Sequence, residues 1–545
     1  MKIAIAQINY IIGDFEGNTS KMLNAVKKAK SQGADIVAFS ELATCGYPPR
    51  DFLEFDDFIK RAEQSVEKLK EASLDIAIVV GTPTVNPVIE GKDLYNSVLF
   101  LYEGEEKFVQ HKTLLPTYDI FDEYRYFEPA NEWGVIEFKG KKIALNICED
   151  LWNIGNENPL YTINPMDEVI KYNPDLIINV SASPFDYNQA NKRLKVLKAN
   201  VDRYKIPLFY INHVGAQTEL IFDGGSVVMS PNGMVYDEMV YFEEEIKTYD
   251  LEHVIKNEKP FNRPKDKMAL IHDALVLGVR DYFKKLGFKK AIIGLSGGLD
   301  SALTTALAVK ALGNENVFVM MMPSQFSSKH SITDSIDLAD NLEIDYEIIK
   351  IEEIYEEFID KLKPIFKDKP FNVAEENIQA RIRGTLLMAV SNKLGYILLN
   401  TTNKSEMAVG YGTLYGDLAG GLSVIADIYK TEAYQLAKYI NKEDTVIPCH
   451  IINKPPSAEL RPNQYDSDSL PDYSILDKVL FEYIEKRKGP KEIIDMGFDE
   501  KLVKRILRMV NINEFKRYQT APVLRVSEKA FGMGRRVPIV ARYLN

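Results

Sequence analysis

An apolar strand that runs directly into a glycine-rich turn and an apolar helix is the feature that most constrains the fold of this chain. The strand reads KAIIGL from Lys290, the turn spans Gly294 to Ser301, and the helix SALTTALAVKALG leads to a second strand, NVFVMMM. Strand, crossover helix and strand make a βαβ unit, whose two strands are parallel. The sequence therefore predicts a parallel sheet in this part of the chain.

The preceding part of the chain alternates strand-like and helix-like segments. We predict a helix from Asn18 to Gly33 and buried strands at KIAIAQI, DIVAFSE, DIAIVVGTP, NSVLFLY, KIALNIC, DLIINVSAS and PLFYINHVG. Such alternation is typical of a layered α/β domain.

A polar segment with two prolines, KNEKPFNRPKDK at residues 256–267, has the composition of a linker. Because 545 residues exceed what one hydrophobic core usually organises, we predict two domains, at 1–258 and 259–545. A second polar stretch, PPSAELRPNQYDSDSLP at residues 455–471, is predicted to be a loop.

Composition narrows the class of protein. A net charge of −12 argues against a general nucleic-acid binder, which needs a basic surface. The three cysteines lack a C-x-x-C pair, so neither a disulfide framework nor a thiolate zinc site is indicated, and a reducing cytoplasm fits. The N-terminal segment MKIAIAQINY reads as a strand and not as a signal peptide, and no apolar run approaches the roughly 20 residues of a membrane span.

The glycine-rich turn has the features of a phosphate site. Its glycines allow close backbone approach, and the following helix N-terminus presents free N–H groups to an anion. The lysine of the G-x-x-x-x-G-K-[ST] loop is missing, and Asp300 would be repelled by phosphate unless a cation such as Mg²⁺ lay between them. The predicted ATP-binding residues here are Gly294, Leu295, Ser296, Gly297, Gly298, Leu299, Asp300 and Ser301.

The string S-G-G-x-D-S resembles the pyrophosphate-binding loop of the adenylating ATP pyrophosphatases, which implies a Rossmann-like parallel-sheet domain and attack at the α-phosphate of ATP. The segments ENIQARIR, TTNKSE, GYGTLYGD and PSAEL resemble those of NAD synthetases within that family. The resemblance implies that Arg383, Thr401 and Lys430 contact ATP. It also implies that deamido-NAD meets Asn377, Glu406, Asp417 and Lys516, and that Asp300 and Glu406 hold Mg²⁺.

Three reactive residues of the first part lie at or beside predicted strand ends: Glu41, Lys112 and Cys148. A thiol nucleophile, a carboxylate base and a cation that stabilises an oxyanion are a workable set for amide hydrolysis. In their sequence contexts they resemble the Glu-Lys-Cys triad of the nitrilase, or carbon–nitrogen hydrolase, superfamily. That resemblance implies an αββα sandwich that releases ammonia from glutamine, with glutamine contacts at Tyr118, Glu123, Ser183 and Lys192.

Two alternative interpretations stay open at this point. The chain could be an amidase whose second domain only senses nucleotide, although the presence of Asp300, Lys404 and Glu406 argues against this. It could instead be an amidotransferase of the GMP synthetase type, which pairs the same ATP loop with a Cys-His-Glu glutaminase; no histidine lies close to Cys148 in the sequence. Both resemblances imply a homo-oligomer, at least a dimer, and we expect ammonia to pass between the sites through the protein.

Overall fold

The computed structural model of the chain describes residues 1–155, 159–263, 266–462 and 464–544. The chain separates into a first unit, Met1–Lys265, and a second unit, Asp266–Asn545. In the predicted linker at 256–267, Pro264 and Lys265 lie outside the described residues. None of the helices in the described part combines the length and the apolarity needed to cross a bilayer.

The first unit is built mainly from strands. The strands are β1 Lys2–Gln7, β2 Ile36–Ala38, β3 Ala77–Val85, β4 Leu94–Tyr102, β5 Glu105–His111, β6 Ile136–Phe138, β7 Lys141–Ile147, β8 Leu176–Ser181, β9 Leu208–Asn212, β10 Val214–Gln217, β11 Leu220–Asp223, β12 Val227–Met229, β13 Val235–Glu238 and β14 Glu245–Asp250. The helices are α1 Phe15–Ser31, α2 Asp56–Ala72, α3 Pro165–Val169, α4 Gln189–Tyr204 and α5 Leu251–Ile255.

Two sheets face each other in this unit, with strand orders β14-β1-β2-β3-β4-β5 and β13-β12-β9-β8-β7-β6. Side chains of a strand alternate between its two faces. Ile3 and Ile5 of β1 therefore pack against the second sheet, at residues such as Leu145, in the core between the sheets. The outer face of the first sheet packs on α1 and α2, and that of the second sheet packs on α3 and α4. The predicted αββα sandwich is confirmed.

The second unit contains a sheet surrounded by helices. Its strands are β15 Lys290–Gly294, β16 Val317–Met321, β17 Asp345–Ile348, β18 Tyr396–Asn400 and β19 Leu422–Ser423. Its helices are α6 Lys267–Leu286, α7 Leu299–Leu312, α8 Lys329–Asn341, α9 Glu352–Phe366, α10 Val373–Leu394, α11 Lys404–Val409, α12 Lys430–Ile440, α13 Cys449–Asn453, α14 Tyr473–Ile484, α15 Pro490–Asp495, α16 Glu500–Ile512 and α17 Glu514–Arg517.

The sheet of the second unit has the strand order β17-β16-β15-β18-β19, and its neighbouring strands are parallel. This confirms the parallel sheet predicted from the βαβ pattern. The direction of winding reverses between β15 and β18. In open parallel sheets, ligands bind beyond the carboxyl ends of the strands at such a switch point. The topology therefore directs attention to the segments that follow Gly294 and Asn400.

Candidate active sites

Glu41 and Lys112 form a fully buried ion pair in the first unit. Glu41 follows β2 and Lys112 follows β5, and Lys112 Nζ lies 2.6 Å from Glu41 Oε1. Asn96 Nδ2 donates to the same Glu41 oxygen at 2.7 Å, and the Ala182 N–H donates to the other at 3.0 Å. The fold thus holds the predicted base and the predicted cation in direct contact, although they are distant in sequence.

Glu123 is the second carboxylate on Lys112. Its two oxygens accept from Lys112 Nζ at 2.9 and 2.7 Å, and the Tyr47 hydroxyl donates to one of them at 2.8 Å. Burial raises the pKa of Glu123 to about 7; the charge of Lys112 opposes this shift and that of Glu41 adds to it. Burial alone would lower the pKa of Lys112, but Glu123 and Glu41 together outweigh it and hold that pKa well above its ordinary value.

Cys148 begins a short helical turn, Cys148–Leu151, directly after β7. Its φ of +41° is unusual for a residue with a side chain, and such strained positions occur often at functional sites. Burial raises the pKa of the Cys148 thiol, the negative charge of Glu41 raises it further, and Lys112 lowers it. The raised pKa favours the neutral thiol, which needs a base before it can attack.

Glu149 is a site residue that sequence reasoning missed. Its Oε1 accepts from the Tyr118 hydroxyl at 2.9 Å and from the Tyr161 hydroxyl at 3.1 Å. Burial raises its pKa, while Lys112 and the two tyrosines lower it. The available sequence signal was its position immediately after Cys148. Tyr118, predicted to contact glutamine, therefore lies beside the predicted nucleophile.

The predicted glutamine contacts Ser183 and Lys192 are not brought together. The Ser183 N–H donates to Asn212 Oδ1 at 2.9 Å, and Ser183 Oγ accepts from Gln189 Nε2 at 3.1 Å. Lys192 instead pairs with Asp186 at 3.3 Å, and the Lys192 side chain is 42% exposed. The reason is geometric: α4 begins at Gln189, so this residue, and not Lys192 three positions later, lies against Ser183.

The second unit has a cavity of about 330 Å³ at the switch point between β15 and β18. It gathers segments that follow β15 and β18 and parts of the predicted loop at 455–471, whose Asn463 is outside the described residues. The predicted site residues that line it are Gly294, Leu295, Ser296, Gly298, Leu299, Asp300, Ser301, Arg383, Thr401, Glu406, Asp417 and Lys430.

The glycine turn packs closely on α8. Gly297 has a φ of +75°, and a Cβ there would lie 2.3 Å from the backbone oxygen of Ser331, so only glycine fits. Gly298 caps the N-terminus of α7, and its N–H donates to Ser296 Oγ at 3.2 Å. Ser331 also donates to Glu459 Oε1 at 2.9 Å. Neither Ser331 nor Glu459 was predicted, and both line the cavity.

Acidic side chains surround Lys430 in this cavity. Lys430 Nζ lies 2.5 Å from Asp300 Oδ2, and Asn403 Nδ2 donates to Asp300 Oδ1 at 3.3 Å. Burial raises the pKa of Glu406, and the charge of Asp300 raises it further. Burial likewise raises the pKa of Asp466, a cavity residue that was not predicted. Such a set of carboxylates favours a cation, although no group of three or more His, Cys, Asp or Glu side chains in the described residues has the arrangement of a metal site.

Three of the four predicted deamido-NAD contacts, Asn377, Asp417 and Lys516, meet at the turn Gly410 to Asp417. Asp417 Oδ1 accepts from the Thr413 N–H at 2.6 Å, and Asn377 Oδ1 accepts from Thr413 Oγ1 at 2.7 Å. Lys516 Nζ donates to the backbone oxygens of Gly410 and Gly412, at 2.7 and 2.9 Å. Asp417 lines the cavity, and Asn377 and Lys516 support the turn that carries it.

Lys404 and Arg381 are not among the residues that line the cavity. Lys404 is fully buried and pairs with Glu485 at 2.8 Å and with Asp427 at 2.9 Å. Arg381 is exposed and donates to the Leu414 oxygen at 3.3 Å, whereas Arg383, two residues along α10, donates to the Met322 oxygen at 2.9 Å. Two residues apart on a helix cannot share a face.

Comparisons with known proteins match both units. The carbon-nitrogen hydrolase family matches residues 2–256, and the NAD synthase family matches residues 271–520. A glutamine-dependent NAD(+) synthetase of Synechocystis sp. is 44% identical over 99% of both chains, and one of Thermotoga maritima is 38% identical over 100% of this chain and 99% of its own. A solved glutamine-dependent NAD+ synthetase of Acinetobacter baumannii, in complex with adenosine diphosphate, is 37% identical, with a TM-score of 0.77 over 99% of this chain and 98% of its own.

Proposed function

This chain belongs to the glutamine-dependent NAD(+) synthetases, carbon–nitrogen ligases with glutamine as the amide donor, and we propose how its residues divide that reaction. Glutamine hydrolysis is assigned to residues 1–258, and the ATP-dependent amidation of deamido-NAD to residues 259–545. The family membership argues against the two alternatives, the nucleotide-sensing amidase and the GMP synthetase type. The assignments of individual residues are the proposal.

In the glutaminase reaction, Cys148 Sγ attacks the side-chain amide carbonyl of glutamine and Glu41 takes the thiol proton. Lys112 Nζ stabilises the negative charge that develops on the carbonyl oxygen. Glu41 then gives its proton to the leaving ammonia, and water hydrolyses the thioester to glutamate. The observation that carries this proposal is the buried contact of Lys112 with Glu41, beside a thiol whose pKa both charges shift.

Glu149 and Tyr118 are suited to the backbone end of glutamine. A buried carboxylate such as that of Glu149 is stabilised by a cation, and the α-ammonium of bound glutamine would be such a cation. Ser183 and Gln189 offer a hydroxyl and an amide for the α-carboxylate, which is bonded to the same Cα as the ammonium. For Lys192 to contact glutamine, its ammonium group would have to leave Asp186 when the substrate binds.

In the ligase reaction, the cavity of the second unit is proposed to bind ATP and deamido-NAD. The glycine turn and the N-terminus of α7 hold the phosphates, and Lys430, Arg383 and Thr401 complete the ATP contacts. The carboxylate of deamido-NAD attacks the α-phosphate and pyrophosphate leaves; ammonia then attacks the acyl-adenylate and AMP leaves. Asn377, Glu406, Asp417 and Lys516 are assigned to deamido-NAD.

Asp300 and Glu406 are the residues proposed to hold Mg²⁺, which would neutralise the charge of the phosphate groups. The fit rests on the negative charge of Asp300, which adds to burial in raising the pKa of Glu406, so that a cation bound by both carboxylates would relieve their repulsion. A cytoplasmic location fits a nucleophilic thiol that must stay reduced and a cosubstrate, ATP, that is made inside the cell. The assembly is proposed to be at least a dimer.

A substrate panel tests the ligase assignment. Deamido-NAD, xanthosine monophosphate and aspartate are each supplied with ATP, Mg²⁺ and glutamine, and pyrophosphate release is measured. We expect release with deamido-NAD alone. Release with xanthosine monophosphate, or hydrolysis of glutamine without release for any acceptor, would contradict the assignment.

A further inference from the structure

Asp150 joins the two backbone segments that carry the reactive groups of the glutaminase site. Its Oδ1 accepts from the backbone N–H groups of Thr113 at 3.0 Å and Leu114 at 2.8 Å, and its Oδ2 accepts from that of Ile147 at 3.2 Å. Thr113 directly follows Lys112, and Ile147 directly precedes Cys148. A single buried carboxylate therefore ties the backbone of the cation to the backbone of the nucleophile.

The local backbone geometry indicates what these hydrogen bonds of Asp150 do. Cys148 has a φ of +41°, and a side-chain residue keeps such a sparsely populated conformation only where its surroundings hold it. Asp150 lies in the same turn, Cys148–Leu151, and bonds back to the residue before the nucleophile. Its bonds to Thr113 and Leu114 place that turn against the chain that leaves Lys112. Bonds from N–H groups to a carboxylate are stronger than neutral ones and fix geometry accordingly.

The burial of Asp150 is costly by itself. The residue is 2% exposed, and burial raises the pKa of its carboxyl to about 7, against the opposing effect of the backbone bonds and of Lys112. Both oxygens accept hydrogen bonds from backbone N–H groups. The cost of burying this carboxyl group is explained if its hydrogen bonds are needed to fix the backbone next to Lys112 and Cys148.

We propose that Asp150 is a positioning residue of the glutaminase reaction, which sets the separation between Lys112 Nζ and Cys148 Sγ through their backbones. The inference rests on the proposed roles of Lys112 and Cys148. A displacement of reacting groups by about 1 Å can cost roughly 100-fold in rate. Loss of Asp150 should therefore lower kcat for glutamine more than it changes KM, and should leave the ligase reaction with ammonium salts intact.

The test uses the full chain with Cys449→Ser as background, because Cys449 is an exposed thiol that would react with the same reagent. Asp150→Asn keeps the size of the side chain but turns an amide donor toward one of the N–H groups, and Asp150→Ala removes all three bonds. We expect kcat for glutamine to fall about 10-fold in the first and about 100-fold in the second, with KM changed less than about threefold. Alkylation of Cys148 by iodoacetamide, located by mass spectrometry, should slow in the same order.

Asp237→Asn is the matched control, because Asp237 is a buried carboxylate of the same unit that bonds instead to Tyr249, at 2.8 Å, and to Lys247. It should keep the kcat of the background protein. Should the alanine variant fail to fold, the asparagine variant decides by itself. A background-level kcat in Asp150→Asn, or faster alkylation of Cys148, would overturn the positioning role. Cys148→Ala is measured in parallel. Glutaminase activity in Cys148→Ala would refute the proposed function. If Cys148→Ala is inactive but the Asp150 variants keep the kcat of the background protein, only this inference is refuted.

Discussion

Lys430 Nζ lies 2.5 Å from Asp300 Oδ2 in the cavity of the second unit. The lysine is almost fully buried, and Glu406 and Asp466 add negative charge around it. The negative charges, chiefly that of Asp300, outweigh burial and raise the pKa of Lys430. Lys430 thus balances part of the negative charge that the carboxylates place in this cavity.

Asp300→Asn removes the charge of this carboxylate while keeping its shape. We expect NAD synthesis to fall at least about 100-fold with glutamine and with ammonium alike, because several kcal/mol of charge stabilisation at the phosphates is lost. Pyrophosphate release at saturating Mg²⁺ is the measurement. The exposed Asp273→Asn on α6 is the control, and normal pyrophosphate release in Asp300→Asn would contradict the metal role.

Cys148→Ala removes the proposed nucleophile of the first unit. We expect glutamine-dependent NAD formation to be lost and synthesis from ammonium salts to stay within about twofold, because nucleophile and ligase chemistry are assigned to separate domains. NAD is measured with each nitrogen donor. Cys45→Ser would be a poor control because Cys45 is buried, whereas Cys449→Ser changes an exposed thiol and should keep both activities. Loss of both activities in a folded Cys148→Ala protein would argue against the division.

Glu149→Gln tests the proposed contact of this carboxylate with the α-ammonium of glutamine. A hydrogen bond to a charged group contributes about 1.5–3 kcal/mol, so KM for glutamine should rise roughly 10- to 100-fold while kcat changes less. Tyr161→Phe, which removes one neutral hydroxyl from the same carboxylate, should change KM only severalfold. Steady-state glutaminase kinetics give both parameters. An unchanged KM in Glu149→Gln would exclude this residue as the ammonium contact.

The buried Glu123 predicts a pH dependence of stability. Its folded-state pKa is about 7, above the ordinary value of 4.5. An acid with a raised pKa stabilises the folded state below its unfolded pKa, and this contribution is lost as pH rises from about 4.5 through 7, by at most about 3 kcal/mol. Glu123→Gln should therefore lose less stability than the unaltered protein between pH 5 and 8. Thermal unfolding across that range is the measurement, and equal slopes for both proteins would count against the prediction.

Isotopic competition tests the expected enclosed route of ammonia. In neutral water ammonia is mostly ammonium, which has no lone pair to attack an acyl-adenylate, so an enclosed apolar route keeps it nucleophilic. With ¹⁵N-amide glutamine and excess unlabelled ammonium, we expect the label to persist in the NAD amide. Dilution of the label to the ratio of the bulk solution would exclude the route.

The secondary structure of both units follows closely from local pattern. The helix predicted from Asn18 to Gly33 is observed as Phe15–Ser31, and the glycine turn lies between β15 and α7 as expected. Local periodicity and glycine geometry act over a few neighbouring residues, so a sequence displays them directly. The residues assigned through motifs stay predictions, although Glu41, Lys112 and Glu123 meet in space.

By itself the sequence determined the layered α/β character of both parts, the glycine turn that is predicted to bind phosphate and the residue types of the predicted triad, because each depends on adjacent residues or on a short motif. Only the tertiary structure decided which side chains meet: Gln189 and not Lys192 at Ser183, Asp466 beside Lys430, and Lys404 in an interior ion pair away from the cavity. These contacts join distant segments through sheet order and helix phase. A side chain's role there depends on burial and on the charges that the fold brings to it, and neither is written in its local sequence.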